Sequence, residues 1–218
     1  MSLIYQSLKD HVYEYISNEI KNKKLNPNEK INEQAICNEL NVSRTPVREA
    51  LIQLSADGLL DITPRRGFRV KALSLKDAQD LYAVIATLEI MAASIAMDKL
   101  TSEDLDKMEE LLQDMDYAIN HYRFRDYYKL QIDFHNIYIF KTENDPLIDT
   151  IFRLKKRFIR QSYTDEKSDS VRDILLNTNQ EHRLILEFFQ KKNISKLKKC
   201  LKHHWNLNYA ELDSLDEL

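Results

Sequence analysis

The residues in this chain best suited to chemistry fall into two groups: a cationic run near residue 44 and a set of histidines beyond residue 130. The run reads Ser43-Arg44-Thr45-Pro46-Val47-Arg48-Glu49-Ala50-Leu51. As the opening of a helix it is self-consistent. Ser43 supplies an N-cap, and Pro46 falls in the first turn, where a missing N–H costs no hydrogen bond. Val47, Leu51 and Leu54 then face inward, while Arg44 and Arg48 form a neighbouring stripe one turn apart. Two guanidinium groups at a helix start suit base edges, and Thr45 with the unpaired backbone amides suits phosphate. A second cationic cluster, Arg65, Arg66 and Arg69, surrounds Gly67, which tolerates the positive φ of a tight turn. Such a tip suits a minor groove or its phosphates.

Of six histidines, His135, His182 and His204 draw interest. Imidazole nitrogen is a general ligand for zinc, nickel and similar ions. Spacing alone gives each an ordinary place on the surface or in a core. His182 and His204 are too far apart for one helix face, although antiparallel helices joined near Asn193 would bring them together. No HExxH spacing surrounds any of the three. Glu181 adjoins His182 but projects about 100° away on a helix, so a hydrolytic metal centre would lack its general base.

Elements of two kinds must position these groups. Apolar residues Tyr5, Leu8, Val12, Ile16 and Ile20 predict a helix over 3–22, followed by a loop over 23–30. Asn32 caps a short helix over 33–40, Asn41-Val42 turns the chain, and a third helix runs from Ser43 to Asp57 and stops at Gly58. The period then changes to two. Residues 60–63 and 68–71 alternate about Pro64-Arg65-Arg66-Gly67, which predicts a β-hairpin. Three helices and a hairpin are the order of a winged helix-turn-helix. Residues 72–75 form a linker, and the remainder reads as about six helices with short connections, an all-α antiparallel bundle. They run from 74 or 75 to 98, from a Ser102 cap to 121, and over 124–140, 147–163, 170–190 and 195–212.

The fold expected is therefore mainly α, with a winged helix-turn-helix over residues 1–72 and an all-helical domain over 73–218, to which the resemblance described below gives effector binding and dimerisation. Two glycines and four prolines in 218 residues fit helices better than a turn-rich sheet. No apolar run approaches the roughly 20 residues of a membrane span, and the first ten residues lack a signal-peptide pattern, so the expected location is the cytoplasm. Cys37 and Cys200 are too distant and too few for a disulfide framework or a thiolate zinc site, and read as small buried residues. The formal charge of −3 divides unevenly. Residues 1–72 hold 11 Lys and Arg against 9 Asp and Glu, and the rest 21 against 26, which leaves the N-terminal part mildly cationic.

The segment Leu8–Val70 closely resembles the DNA-binding domain of GntR-type regulators. The resemblance rests on Ile31-Asn32-Glu33-Gln34, on Leu40 to Leu51, on Leu54, on Gly58-Leu59 and on Arg66-Gly67-Phe68-Arg69-Val70. It implies that Arg44, Thr45 and Arg48 read an operator with Gly67 at the wing tip. It also implies a departure, since some relatives carry a DNA-contacting arginine where this chain has Gln34. The helical part resembles the FCD effector domain of the FadR-like branch, through Leu88-Glu89, Phe134-His135, Asn144, Glu181-His182, Leu184-Ile185-Leu186 and His204. That resemblance implies a divalent metal, zinc or nickel, on His135, His182 and His204. The family's fourth ligand is an aspartate four residues before the first histidine, where this chain has Gln131. Many relatives also pair an effector carboxylate with an arginine four residues before the position of Glu89, where this chain has Ile85. Replacement contacts would come from Arg153, Arg157, Arg160 and Tyr128, with Tyr163 as a further candidate. The implied function is a DNA-binding transcription regulator, a repressor, acting as a homodimer on double-stranded operator DNA under control of a small organic acid. Two alternatives stand beside it, a constitutive DNA-binding dimer without effector and a metal-dependent hydrolase.

Overall fold

A computed structural model describes residues 7–72, 74–157 and 168–206. Its contacts divide the chain into two compact units. Residues 7–72 form the first, with 153–157 counted to it, and residues 74–152 and 168–206 form the second.

The first unit holds α1 (Leu8–Lys21), α2 (Glu33–Leu40), α3 (Arg44–Ala56) and the hairpin β1 (Leu60–Thr63) and β2 (Gly67–Val70). Ser7 and Asp10 close a reciprocal capping box at the start of α1. Val12, Ile16 and Ile20 are buried there, but Leu8 is exposed, because the first turn overhangs the core that Val47, Leu51, Leu54, Leu60, Phe68 and Val70 complete. Asn32 caps α2 through Ala35 N–H, and Asn41 ends it in the left-handed region at φ 51°. α3 ends through Gly58, at φ +79°, where Leu59 N–H returns to the Leu54 carbonyl. The strands pair antiparallel, Leu60 with Val70 and Thr63 with Gly67. Part of the segment expected as loop is recruited to their edge: Ile31 N–H donates to Phe68 O at 2.9 Å, and Val70 N–H to Glu29 O at 2.9 Å. Those bonds satisfy a strand edge that alternation alone could not reveal.

The second unit holds α4 (Leu75–Ala96), α5 (Ser102–Asn120), α6 (Phe124–Phe140), α7 (Asp145–Lys156) up to Phe152, α8 (Asp169–Gln190) and α9 (Ile194–His204). α5 packs on α6 and α8, and α9 lies against α4 and α8. Met108, Leu112, Met115, Phe124, Tyr127, Phe134, Tyr138, Ile151, Ile185 and Leu201 are among the buried residues of this core. Thr101, not Ser102, caps α5, since the Thr101 hydroxyl and Asp104 close a capping box and leave Ser102 inside the helix. Having few glycines, the chain turns on side-chain-bearing residues in the left-handed region: Tyr122, Glu143 and Lys192 have φ of 55°, 53° and 50°. The expectation that no apolar run approaches membrane-spanning length meets one stretch that passes on composition. Within α4, Lys76–Ala96 is long and apolar enough by length and composition. Its buried residues Leu81, Ile85, Ala92, Ala93 and Ala96 are those of a bundle helix, and a further apolar stripe, with Val84 and Met91, is exposed. Beyond Arg157 the described chain stops until Ser168, so the C-terminal part of the helix expected over 147–163, including Arg160 and Tyr163, lies outside the described residues, as do 207–212 of the last helix.

Candidate nucleic-acid interface and metal centre

Ser43, Arg44, Thr45 and Arg48 are all exposed at the start of α3. Ser43 occupies the N-cap position, but its hydroxyl makes no capping hydrogen bond, so the first amides of α3 lack that partner. Exposed amides at a positive helix end, beside two arginines, form a site that attracts phosphate. Arg48 keeps most of its surface. Its ion pair with Glu33, Nε to Oε2 at 3.9 Å, is long and holds it weakly. Arg44 is more constrained: its Nε and Nη2 donate to Gln34 Oε1 at 3.3 and 2.8 Å. Lys30, Asn32, Gln34, Arg44, Arg65 and Arg66 line one groove between the helix starts and the hairpin. In the hairpin turn Arg65 takes φ 62° and Gly67 φ +87°, and Arg65 and Arg66 are exposed. Arg69 differs from its neighbours, because its Nη1 donates to Asn28 O at 2.9 Å and ties the wing to the preceding loop.

In the second unit three helices bring His135 (α6), His182 (α8) and His204 (α9) to one point. His135 Nε2 lies 3.1 Å from His182 Nε2 and 3.3 Å from His204 Nε2. His135 and His182 are fully buried. The opposite ring atoms face carboxylates: His135 Nδ1 meets Glu89 Oε2 at 2.8 Å, and His204 Nδ1 meets Glu181 Oε2 at 2.8 Å. A carboxylate only accepts, so the Nδ1 atoms carry protons, and in the neutral tautomers the Nε2 lone pairs of His135 and His204 face each other. Those lone pairs cannot bond to one another, and a cation between them removes the conflict. Two nitrogens about 2.0–2.1 Å from a tetrahedral zinc are roughly 3.3 Å apart, close to the separations here. The donor set therefore fits a divalent ion, and these three histidines could hold one.

Glu89 is the anchor of this arrangement. It is wholly buried, and its Oε2 accepts from Tyr138 O–H and, at 2.9 Å, from Trp205 Nε1–H as well as facing His135. Burial, and then the Glu89 charge, push the Tyr138 hydroxyl well above its ordinary pKa, so it stays a donor. Trp205 also packs edge-on against His135 and His204, with ring centroids 5.7 and 5.6 Å away.

Gln131 lies one turn before His135 on α6 and is half-buried, while Asp133 is exposed. Tyr128 meets Tyr127 edge-on, and Tyr127 in turn meets His182. Ile85 is part of the core. Arg153 is exposed and Arg157 half-buried, and neither bonds to the histidine group among the described residues. His203 is exposed and reaches Glu181 Oε1 at 3.2 Å. Sequence reasoning missed the parts played by Glu89, Tyr138, Glu181 and Trp205. One signal existed: Glu89 is the lone charge between Leu81 and Met97.

Comparison with known proteins fits both units. The family described as "Bacterial regulatory proteins, gntR family" matches residues 8–70, and the FCD domain matches residues 80–207. The chain is 30% identical to the HTH-type transcriptional regulator YdhC of Bacillus subtilis, over 89% of this chain and 86% of that one. It is 26% identical to the HTH-type transcriptional repressor RspR of Escherichia coli, over 91% and 86%. Among solved structures, E. coli McbR/YncC superposes with a TM-score of 0.76 at 21% identity, covering 97% of this chain and 99% of that one, a likeness of fold.

Proposed function

Because this chain belongs to the GntR family of bacterial regulatory proteins, in the branch carrying an FCD domain, it is a transcriptional regulator, and we propose that it is a metal-dependent, ligand-responsive repressor. Residues 1–72 are its DNA-binding domain and residues 73–218 its effector and dimerisation domain. Ser43, Arg44, Thr45 and Arg48 enter a major groove of operator DNA, and Arg65 and Arg66 about Gly67 follow the adjacent phosphates, with Arg69 holding the wing in place. The protein works in the cytoplasm as a homodimer, whose two-fold axis matches a palindromic operator. The exposed apolar stripe of α4, with Val84 and Met91, supports a second copy packing there.

The observation that carries the effector half is the convergence of ring nitrogens of His135, His182 and His204 within 4.8 Å of one another. A bound zinc or nickel ion would supply a Lewis-acidic centre with open positions for a carboxylate oxygen. His135, His182 and His204 hold the site, Glu89 and Glu181 fix two of the rings, and Gln131 offers a neutral oxygen from one turn away. Tyr128, and the cations Arg153, Arg157 and Arg160, are the remaining candidates for a small organic acid. Such a ligand shifts operator affinity by binding one arrangement of the dimer better than another.

The test combines metal analysis of the purified protein with titration of labelled duplex, with and without zinc, nickel and a set of organic acids. Stoichiometric metal, together with an acid-dependent change in duplex affinity, supports the reading. Duplex binding by a metal-free protein that no acid or metal alters would instead favour the constitutive dimer.

A further inference from the structure

We infer that Gln34 is a positioning residue for sequence recognition: its side-chain oxygen holds the Arg44 guanidinium so that the far edge of that group is presented to a base. The inference rests on the proposal that Arg44 meets DNA, and deepens it by naming what aims it.

The geometry is specific. A guanidinium has five N–H donors in a rigid fork. Gln34 Oε1 takes two of them, both from the Nε/Nη2 edge, at 3.3 and 2.8 Å. The Nη1/Nη2 edge keeps its hydrogens, and that edge is the one that fits guanine O6 and N7 in a bidentate pair. The Gln34 amide is itself fixed. Its Nε2 donates to Asn38 Oδ1 at 3.0 Å, one turn along α2, which determines which end of the amide faces Arg44. The chain Asn38, Gln34, Arg44 thus runs from α2 to the first residue of α3, and all three side chains are exposed. Because both bonds to Arg44 fall on one neutral oxygen, the arginine is steered while its charge stays whole for DNA.

A long side chain held in its bound direction loses less freedom on binding. Removing the support therefore lowers discrimination at the base pair that Arg44 reads, by about fivefold, and leaves the other positions alone.

The experiment is selection from a randomised duplex library, with sequencing, using the full chain and the variants Gln34→Ala, Gln34→Glu, Asn38→Ala, Arg44→Ala and the double variant Gln34→Ala/Arg44→Ala, each with and without added zinc. All are exposed positions, and thermal melting checks that each variant folds. The expected result has four parts. Arg44→Ala flattens one base pair in each half-site, and Gln34→Ala weakens the same pair. The double variant does no more than Arg44→Ala. Gln34→Glu keeps the preference because it keeps the acceptor, although its charge lowers affinity for every sequence. Weakening at that pair by Asn38→Ala completes the pattern. The inference is overturned if Gln34→Ala leaves that pair untouched, or alters a pair that Arg44→Ala does not, which would make Gln34 a direct reader. Enrichment of no sequence by the unaltered chain would instead sink the DNA-binding reading beneath it.

Discussion

Glu89→Gln is the most informative single change in the helical unit. It alters the shape of the side chain little but removes the charge that faces His135. In the native chain one oxygen, Glu89 Oε2, faces three donors: His135 Nδ1 at 2.8 Å, Trp205 Nε1 at 2.9 Å and Tyr138 O–H. A glutamine keeps one acceptor oxygen and brings an NH2 that must also find a partner in a wholly buried place. His135 then loses its charged acceptor, and with it the tautomer and ring angle that aim Nε2 at the other histidines. Loss of a carboxylate behind a ligating histidine typically weakens metal binding roughly 10–100-fold. That corresponds to about 1.4–2.7 kcal/mol. The metal-free fold should also lose about 1–3 kcal/mol from the donor left unpaired. Zinc competition against a chromophoric chelator reads the first quantity, and thermal melting in a chelator reads the second. Trp205, the only tryptophan, gives an independent signal: nickel bound at the histidines should quench its emission, at higher nickel concentrations in the variant. Equal zinc affinity in the two proteins would refute the claim that Glu89 sets the site.

Arg48→Ala should cost about 1–3 kcal/mol of duplex affinity and relax preference at one base pair, as read by anisotropy on duplexes from the selection; unchanged affinity and preference would remove Arg48 from the interface. Gly67→Ala should destabilise the first unit by about 1–2 kcal/mol through φ +87° alone, because the added methyl meets only Lys30 Cε at 4.0 Å; a neutral melting curve would contradict that. Burial, and then Glu181, push the Cys200 thiol up to about 11, so at pH 8 it stays protonated. Alkylation of the native chain should then be on the order of a hundredfold slower than in urea. The same shift means native stability falls as pH climbs from the unfolded thiol value of about 8.5 toward 11.

The second and third helices of the first unit were legible because each carries its own local marker, whereas the first, expected from residue 3 on apolar spacing, starts at Leu8 behind its Ser7 cap. Asn32, Asn41 and Gly58 sit where the capping and left-handed positions require them. The pairing of residues 28–31 with β2 was not legible, since it depends on backbone edges meeting across sequence distance. In the second unit the helices followed from periodicity, yet the misplaced Ser102 cap shows how adjacent hydroxyls compete for one role. Spacing gave no reason to join three histidines from three helices; resemblance to a family supplied it. The carboxylates behind them were hidden for a physical reason. Glu89 acts on α6 from α4, and Glu181 acts on α9 from α8, so neither function shows within its own helix.

The central claim is that exposed cations of α3 and the wing act as a symmetric pair on one duplex. Hydroxyl-radical footprinting of the full chain on a duplex recovered by selection tests it most directly. Two protected patches are expected on one face of the DNA, related by a two-fold axis and lost together in Arg44→Ala/Arg48→Ala. A single patch without symmetry, or protection that survives loss of both arginines, would contradict it.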